Sequence, residues 1–245
     1  MRFMLLSDEE KKEQLAFFKN RFVKTCDICH GEGFVVHDDN GYEVSSTCKC
    51  LKKAKRYLSL LDWGIPKRYL LSNNEMNYIL KTSVGKQAQN YVNNFNKNYQ
   101  DLNHVFINGV HTASSLICAF LAKQIIKIIN EDTQVPYTVA YSLFSDVLKL
   151  SFENDNAQKL NTFLYKSDVL ILDGIGGEFI KDGNKFSAHF LDNIIRKREN
   201  DCKLLILVSA QDIEILLKSY GEEIVSFINQ CVTFKAEVVK KDSLF

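Results

Sequence analysis

Residues 105–115 read Val-Phe-Ile-Asn-Gly-Val-His-Thr-Ala-Ser-Ser, an apolar run, a glycine and a segment rich in small hydroxyl residues. This is the frame of a phosphate-binding loop. In such a loop the backbone N–H groups at a strand-to-helix turn cradle phosphates, a lysine reaches the β and γ oxygens, and a Ser or Thr hydroxyl binds magnesium. The complete form is Gly-x4-Gly-Lys-Ser/Thr, and no lysine stands in place here. Aligned on the helix that follows, Ser115 takes the magnesium position, Gly109 the first glycine and Ser114 the lysine position, in a loop one residue short; Thr112 lies between. Aligned without a gap, Ser115 takes the lysine position instead. Gly85-Lys86 is no substitute, since no apolar strand precedes it.

A second group of residues has metal-binding spacing. Cys26-Asp-Ile-Cys29 and Cys48-Lys-Cys50 form a Cys-x2-Cys and a Cys-x-Cys separated by eighteen residues. Two close thiolate pairs brought together by a hairpin can close a tetrahedral, structural Zn2+ site. Gly31, Gly33 and Asn40-Gly41 supply turns, while Phe34-Val35-Val36 and Tyr42-Glu43-Val44 supply strands. A small segment with little core of its own needs such a staple. His30 and His37 are expected to be bystanders, because four thiolates already complete the site. The adjoining basic run, with Lys49, Lys52, Lys53, Lys55 and Arg56, reads either as the solvated face of a helix or as a contact for single-stranded nucleic acid.

The elements that must position these residues follow from periodicity. Residues 8–23 read as one amphipathic helix, with Leu15, Phe18 and Phe22 at helical spacing. Its role is either packing or docking a partner. A basic helix from about Leu51 to Leu61 ends at Trp63-Gly64-Ile65-Pro66. Residues 73–103, rich in asparagine and charge, read as exposed helix with few apolar faces. Apolar runs at 105–108, 137–141, 169–172 and 203–208 then alternate with helical segments, and the last two are continuously apolar, as in parallel strands covered on both faces. The expected architecture is a wound α/β sheet, organised as an arm over 1–24, a zinc-ribbon module with its basic helix over 25–62 and an α/β domain over 63–245.

Composition narrows the functional classes. A chain of 245 residues with a net charge of +1 has no global basic field, so nucleic-acid contact must be local. The apolar stretch Phe3-Met4-Leu5-Leu6 is too short for a signal peptide, and no run reaches spanning length, so a cytoplasmic protein without membrane contact is expected. Seven cysteines with uneven spacing do not read as a disulfide framework; Cys118, Cys202 and Cys231 are expected as small buried hydrophobes.

The ordered set of motifs resembles a family. Cys-x2-Cys-x-Gly-x-Gly-Phe, Cys-Lys-Cys, Gly64-Ile65-Pro66-Lys67-Arg68-Tyr69, the strand-turn at 105–109, Asp168-Val-Leu-Ile-Leu-Asp173-Gly-Ile-Gly176, Phe190-Leu-Asp-Asn-Ile-Ile-Arg196 and Tyr220-Gly221 together look like the DnaC/DnaI replicative-helicase loaders, which are AAA+ ATPases with a P-loop NTPase fold. The resemblance spans about residues 25–239. It implies ATP with Mg2+ as cofactor, a replicative DNA helicase as partner in the primosome, and single-stranded DNA contact, with oligomeric or hetero-oligomeric assembly.

Set against that pattern, the nucleotide site is degenerate. Asp173 fills the magnesium-binding position of the second motif, but Gly174 stands where the resemblance implies a base. Ser209 remains at the sensor while Ala210 replaces its amide. Glu223 and Phe227 occupy the positions of the two arginines of a Tyr-Gly-x-Arg-(x)3-Arg pattern. Loss of the loop lysine removes about 1.5–3 kcal/mol of nucleotide binding. Loss of a general base costs ~10² to 10⁴ in rate and of an arginine finger ~10³ to 10⁵. Gly109, Thr112, Ser114, Ser115, Asp173 and Ser209 are therefore expected to hold a nucleotide weakly or to cap helix and strand ends. The leading expectation is a helicase-loader-like adaptor in replication initiation without efficient ATP hydrolysis. The alternatives are an active variant ATPase drawing on His111 or Lys123, a transposition-type accessory protein, and a loader mimic that inhibits the helicase.

Overall fold

The chain divides into two compact units, residues 1–64 and 65–245. A computed structural model describes residues 6–71, 73–109, 111–153, 157–177 and 185–236, and the side chains of 73–75 and of His111 are outside the description. Residues 3–5 of the N-terminal apolar stretch, Val110 of the phosphate-loop frame and residues 237–239 at the end of the resemblance lie outside it too.

In the first unit, Ser7 and Glu10 form a reciprocal capping box at the start of helix α1 (Asp8–Phe22), whose first turn is acidic and last turn basic, as the helix dipole favours. Strands β1 (Phe34–Asp39) and β2 (Tyr42–Thr47) pair antiparallel around a two-residue turn. Both turn residues, Asn40 and Gly41, have positive φ, as a type I′ turn requires. Helix α2 (Lys49–Asp62) buries Leu51, Ala54 and Leu60. It packs against α1 through Phe18, Phe22 and Tyr57, and Asp62 bonds Lys11 and the backbone N–H of Leu6.

The second unit begins with helices α3 (Lys67–Leu71), α4 (Asn73–Ile79), α5 (Ser83–Asn93) and α6 (Phe95–Gln100). The expectation of an exposed 73–103 is overturned: Met76, Ile79, Val84, Ala88, Tyr91, Val92 and Phe95 are buried. These apolar residues fall on one side of several short helices, so the polar average of the segment hid them. Gly85 lies inside α5, not in a loop.

Strands β3 (Val105–Gly109), β4 (Val139–Leu143), β5 (Val169–Asp173), β6 (Leu204–Ser209) and β7 (Val232–Ala236) form one parallel sheet in the order β4-β5-β6-β3-β7. Four of these match the expected runs, with β4 shifted two residues C-terminal. The fifth, β7, is an alternating edge strand that four-residue apolar runs could not reveal. Helices α7 (His111–Ile125), α8 (Phe144–Ser151), α9 (Ala157–Lys166), α10 (Lys185–Asn200), α11 (Ile213–Tyr220) and α12 (Glu222–Gln230) complete the unit. Every residue of β5 and β6 is buried, as the continuous apolar runs require. Cys118 and Cys231 are buried as expected, but Cys202 is exposed, because it sits at positive φ in the turn between α10 and β6. Among the described residues no helix is long and apolar enough to cross a membrane.

The N-terminal edge of this sheet is held by two buried polar side chains. Arg198, with no exposed surface, donates to the carbonyls of Leu164, Ser167, Asp168 and Leu204. Burial lowers its pKa to about 10. His104 accepts the backbone N–H of Leu205 through Nδ1 at 3.0 Å. Burial, reinforced by the charge of Arg198, lowers the His104 pKa from 6.5 to about 4. Above pH 6.5 the imidazole is neutral in both folded and unfolded chains. As pH falls from 6.5 toward 4 only the unfolded chain takes up the proton, and stability drops by about 3 kcal/mol. His104→Gln keeps an acceptor for Leu205 and should remove this part of the acid sensitivity. Urea midpoints of both proteins between pH 7 and 4.5 test this, and parallel profiles would refute it.

Candidate functional site

Two places gather the residues with chemical potential, one in each unit. In the first, the Sγ atoms of Cys26, Cys29, Cys48 and Cys50 all lie within 4.8 Å of one another, a group able to hold a metal ion. Cys26 and Cys48 are 3.8 Å apart, and Cys29 and Cys50 3.4 Å. A tetrahedron with metal–sulfur bonds of about 2.3 Å has edges of about 3.8 Å, so this spacing fits a four-thiolate site. The hairpin β1–β2 returns the chain so that Cys48 caps α2 beside the first pair. The backbone N–H of Gly33 donates to Sγ of Cys29 at 3.2 Å. Burial alone would raise the Cys29 thiol, but this bond and those to its neighbouring thiols outweigh it and bring it down to about 6. Burial and the same neighbours push Cys50 up. Neither His30 nor His37 belongs to the group.

On the next helix, Lys52, Lys53, Lys55 and Arg56 are all exposed. Lys52, Lys55 and Arg56 share a stripe at helical spacing, and Lys53, three residues before Arg56, holds its ammonium 4.5 Å from the centre of the Phe22 ring.

The second place is the C-terminal edge of the parallel sheet. Ser115, the fifth residue of α7, donates to Oδ2 of Asp173 at 3.2 Å, and both are buried. Only the register that puts Ser115 at the magnesium position brings a hydroxyl to this aspartate; the ungapped one would offer the buried, apolar Leu116. Ser114, at the lysine position, is 1% exposed, and its Oγ has no hydrogen-bond partner. Thr112 is exposed. The same Oδ2 of Asp173 accepts a 2.6 Å hydrogen bond from the phenol of Tyr141 on β4. Burial and the adjacent carboxylate push the Tyr141 pKa well above its ordinary value, so the phenol keeps its proton and stays a donor. Sequence reasoning missed Tyr141, because nothing in its own strand marks it; only the β4–β5 register sets it beside Asp173.

The remaining positions of the motif set have other local work. A Cβ at Gly109 would meet the carbonyl oxygen of Ala236 at 2.0 Å, so glycine is demanded by the approach of β7. Gly174, at the base position, has φ +81 with open space around it. An L-residue there is strained by about 1–2 kcal/mol. Ser209 is fully buried and spends its hydroxyl on the Ile175 carbonyl (2.6 Å) and the Gln211 N–H (3.0 Å). Glu223 lies on the surface 3.5 Å from Arg196. Phe227 is a core residue with its ring 5.0 Å from that of His104. Lys123 is buried and donates to the Tyr69 carbonyl.

The strand order β4-β5-β6-β3-β7, with the phosphate-loop frame following β3 and Asp173 ending its neighbour but one, can be compared with known proteins. No family model and no curated relative matches the sequence. Similar solved structures include the DnaC helicase loader, with a TM-score of 0.53 at 21% identity over 70% of this chain and 99% of that one. DnaI gives a TM-score of 0.53 at 14% identity over 72% and 93%. The chain has a DnaC/DnaI-like AAA+ fold. The replication initiator DnaA bound to AMPPCP and single-stranded DNA gives 0.51 at 18% identity over 73% and 52%. In open parallel α/β sheets ligands bind outside the carboxyl ends of the strands. Here Asp173, at the carboxyl end of β5, is buried and hydrogen-bonded by Tyr141 and Ser115.

Tyr141→Phe removes a hydrogen bond to a buried carboxylate and should cost about 1.5–3 kcal/mol of stability. In an Asp173→Asn background the same change should cost clearly less, since paired residues are not additive. Chemical denaturation of the four proteins of this cycle measures the coupling, and a coupling near zero would contradict the geometry.

Proposed function

We propose that the protein is a helicase-loader-like adaptor of replication initiation. It contacts a replicative DNA helicase and single-stranded DNA, carries one structural Zn2+ on Cys26, Cys29, Cys48 and Cys50, and does not hydrolyse ATP efficiently. The observation that carries the last point is the pairing of the Asp173 carboxylate with the Tyr141 phenol. A metal-binding aspartate of an active site must face an ion, and here a protonated phenol from the next strand takes the same oxygen. The neighbouring substitutions support the same reading: Ser114 is buried where a lysine would reach out, and Gly174 has a backbone suited to glycine where a base would stand. The helicase and DNA contacts rest on the likeness of the fold to DnaC and DnaI and on the ordered motifs of the N-terminal unit. Gly109, Thr112, Ser114, Ser115, Asp173 and Ser209 act as structural residues of a retained nucleotide-site frame.

The alternative of an active variant ATPase has less support. Lys123, a possible relocated cation, is engaged with the Tyr69 carbonyl. An accessory role in transposition and inhibition of the helicase use the same scaffold and differ only in the partner and its response.

Three measurements on the purified chain decide among these readings. Metal analysis should give close to one zinc per chain, lost together with the fold of the N-terminal unit in Cys29→Ser. ATP turnover should stay at background with or without single-stranded DNA. Association with a replicative helicase should be detectable and insensitive to ATP. Magnesium-dependent hydrolysis abolished by Asp173→Ala would overturn the adaptor reading, and recovery of a transposase with no helicase would redirect it to transposition.

A further inference from the structure

Within the first unit, α1, the loop after Cys29, the start of β1 and α2 enclose a groove of about 760 Å³. Its floor is apolar, formed in part by the buried Leu51. Two aromatic rings stand along it, Phe34 at 51% exposure and Phe17 at 39%. Three lysines line it as well, Lys19 from the last turn of α1, Lys24 just beyond its C-cap and Lys55 from α2, against a single acid, Glu32. This charge is segregated along α1: Asp8, Glu9 and Glu10 occupy its first turn, and Lys19 and Arg21 its last. Lys52 and Arg56 extend the cationic stripe of Lys55 along α2.

We propose that this groove is the track for single-stranded nucleic acid, with unpaired bases stacking on Phe34 and Phe17 and phosphates facing Lys19, Lys24 and Lys55. The proposal rests on the reading of the N-terminal unit as a DNA contact and relocates that contact from the helix stripe alone into the groove. The chemistry favours a nucleic acid over an acidic helix. An amphipathic helix would use the apolar floor, but only bases and phosphates together also use the exposed rings of Phe34 and Phe17 and the lysines of the same lining. A duplex keeps its base faces stacked internally, so it cannot use the rings. Lys53, held over Phe22, is outside the track.

The test titrates the full chain with a fluorescein-labelled fifteen-nucleotide oligothymidylate and follows anisotropy at several salt concentrations. Phe34→Ala should weaken binding roughly tenfold or more, since a base–aromatic stack contributes at that scale. Lys24→Ala should reduce the slope of log affinity against log salt by about 0.7. Both residues are solvent-facing, and unchanged circular dichroism and melting midpoint would show the variants folded. If the parent binds and both variants match it while Lys52→Ala and Arg56→Ala weaken binding, the strand follows the helix: the groove assignment falls and the DNA reading stands. If the parent does not bind, both fall. A labelled acidic amphipathic peptide of Glu and Leu is run in parallel, and sensitivity to Phe34→Ala with the peptide but not with the oligonucleotide would give the groove to a protein partner and overturn the proposal.

Discussion

A single carboxylate oxygen ties together the C-terminal edge of the sheet in the larger unit. Oδ2 of Asp173 receives the Tyr141 phenol from β4 and the Ser115 hydroxyl from α7, so one buried charge joins two neighbouring strands and the helix that follows a third. A carboxylate with 4% exposure is costly unless hydrogen-bonded, and these donors offset that cost. The same bonds determine what the site can do. The Tyr141 phenol, 2.6 Å from this oxygen, and the Ser115 hydroxyl, 3.2 Å from it, make the aspartate an anchor for the sheet.

The opposite edge of the sheet is secured by different means. Arg198 collects four carbonyls that precede or begin β5 and β6, and His104 gives Leu205 an acceptor where the β3–β6 ladder has not yet begun. Between the two edges run β5 and β6, buried along their whole length and apolar up to Asp173 and Ser209 at their ends. The positions expected to carry arginines toward nucleotide have been drawn into this arrangement or out to solvent: Phe227 packs on His104, and Glu223 faces Arg196.

The smaller unit follows another logic. Its hairpin has little buried surface, and nearly every residue of β1 and β2 is exposed. Two-stranded hairpins are marginal by themselves. The geometry of the four thiols explains how such a hairpin can be kept, while α1 and α2 supply an apolar contact through Phe18, Phe22 and Tyr57. This arrangement leaves aromatic and cationic side chains such as Phe34 and Lys55 exposed.

Much of this was legible in the residues alone. Continuous apolar runs announce strands covered on both faces, so β5 and β6 were readable. The paired cysteines were too, because ligand spacing is a local property, and so was the absence of a lysine after Gly109. What the sequence could not decide depends on which strands become neighbours. Tyr141 looks like an ordinary strand aromatic until the β4–β5 register pairs it with Ile171, one diagonal step from Asp173 on the same face. Arg198 looks like one more charge on a basic helix until α10 settles over the carbonyls of Leu164 and Ser167. Met76 to Phe95 look solvated until several short helices turn one side inward, and β7 alternates too evenly to stand out as a core strand. Local chemistry is written in spacing along the chain; the fate of a polar group is decided by what lies across from it, and that is a property of tertiary packing.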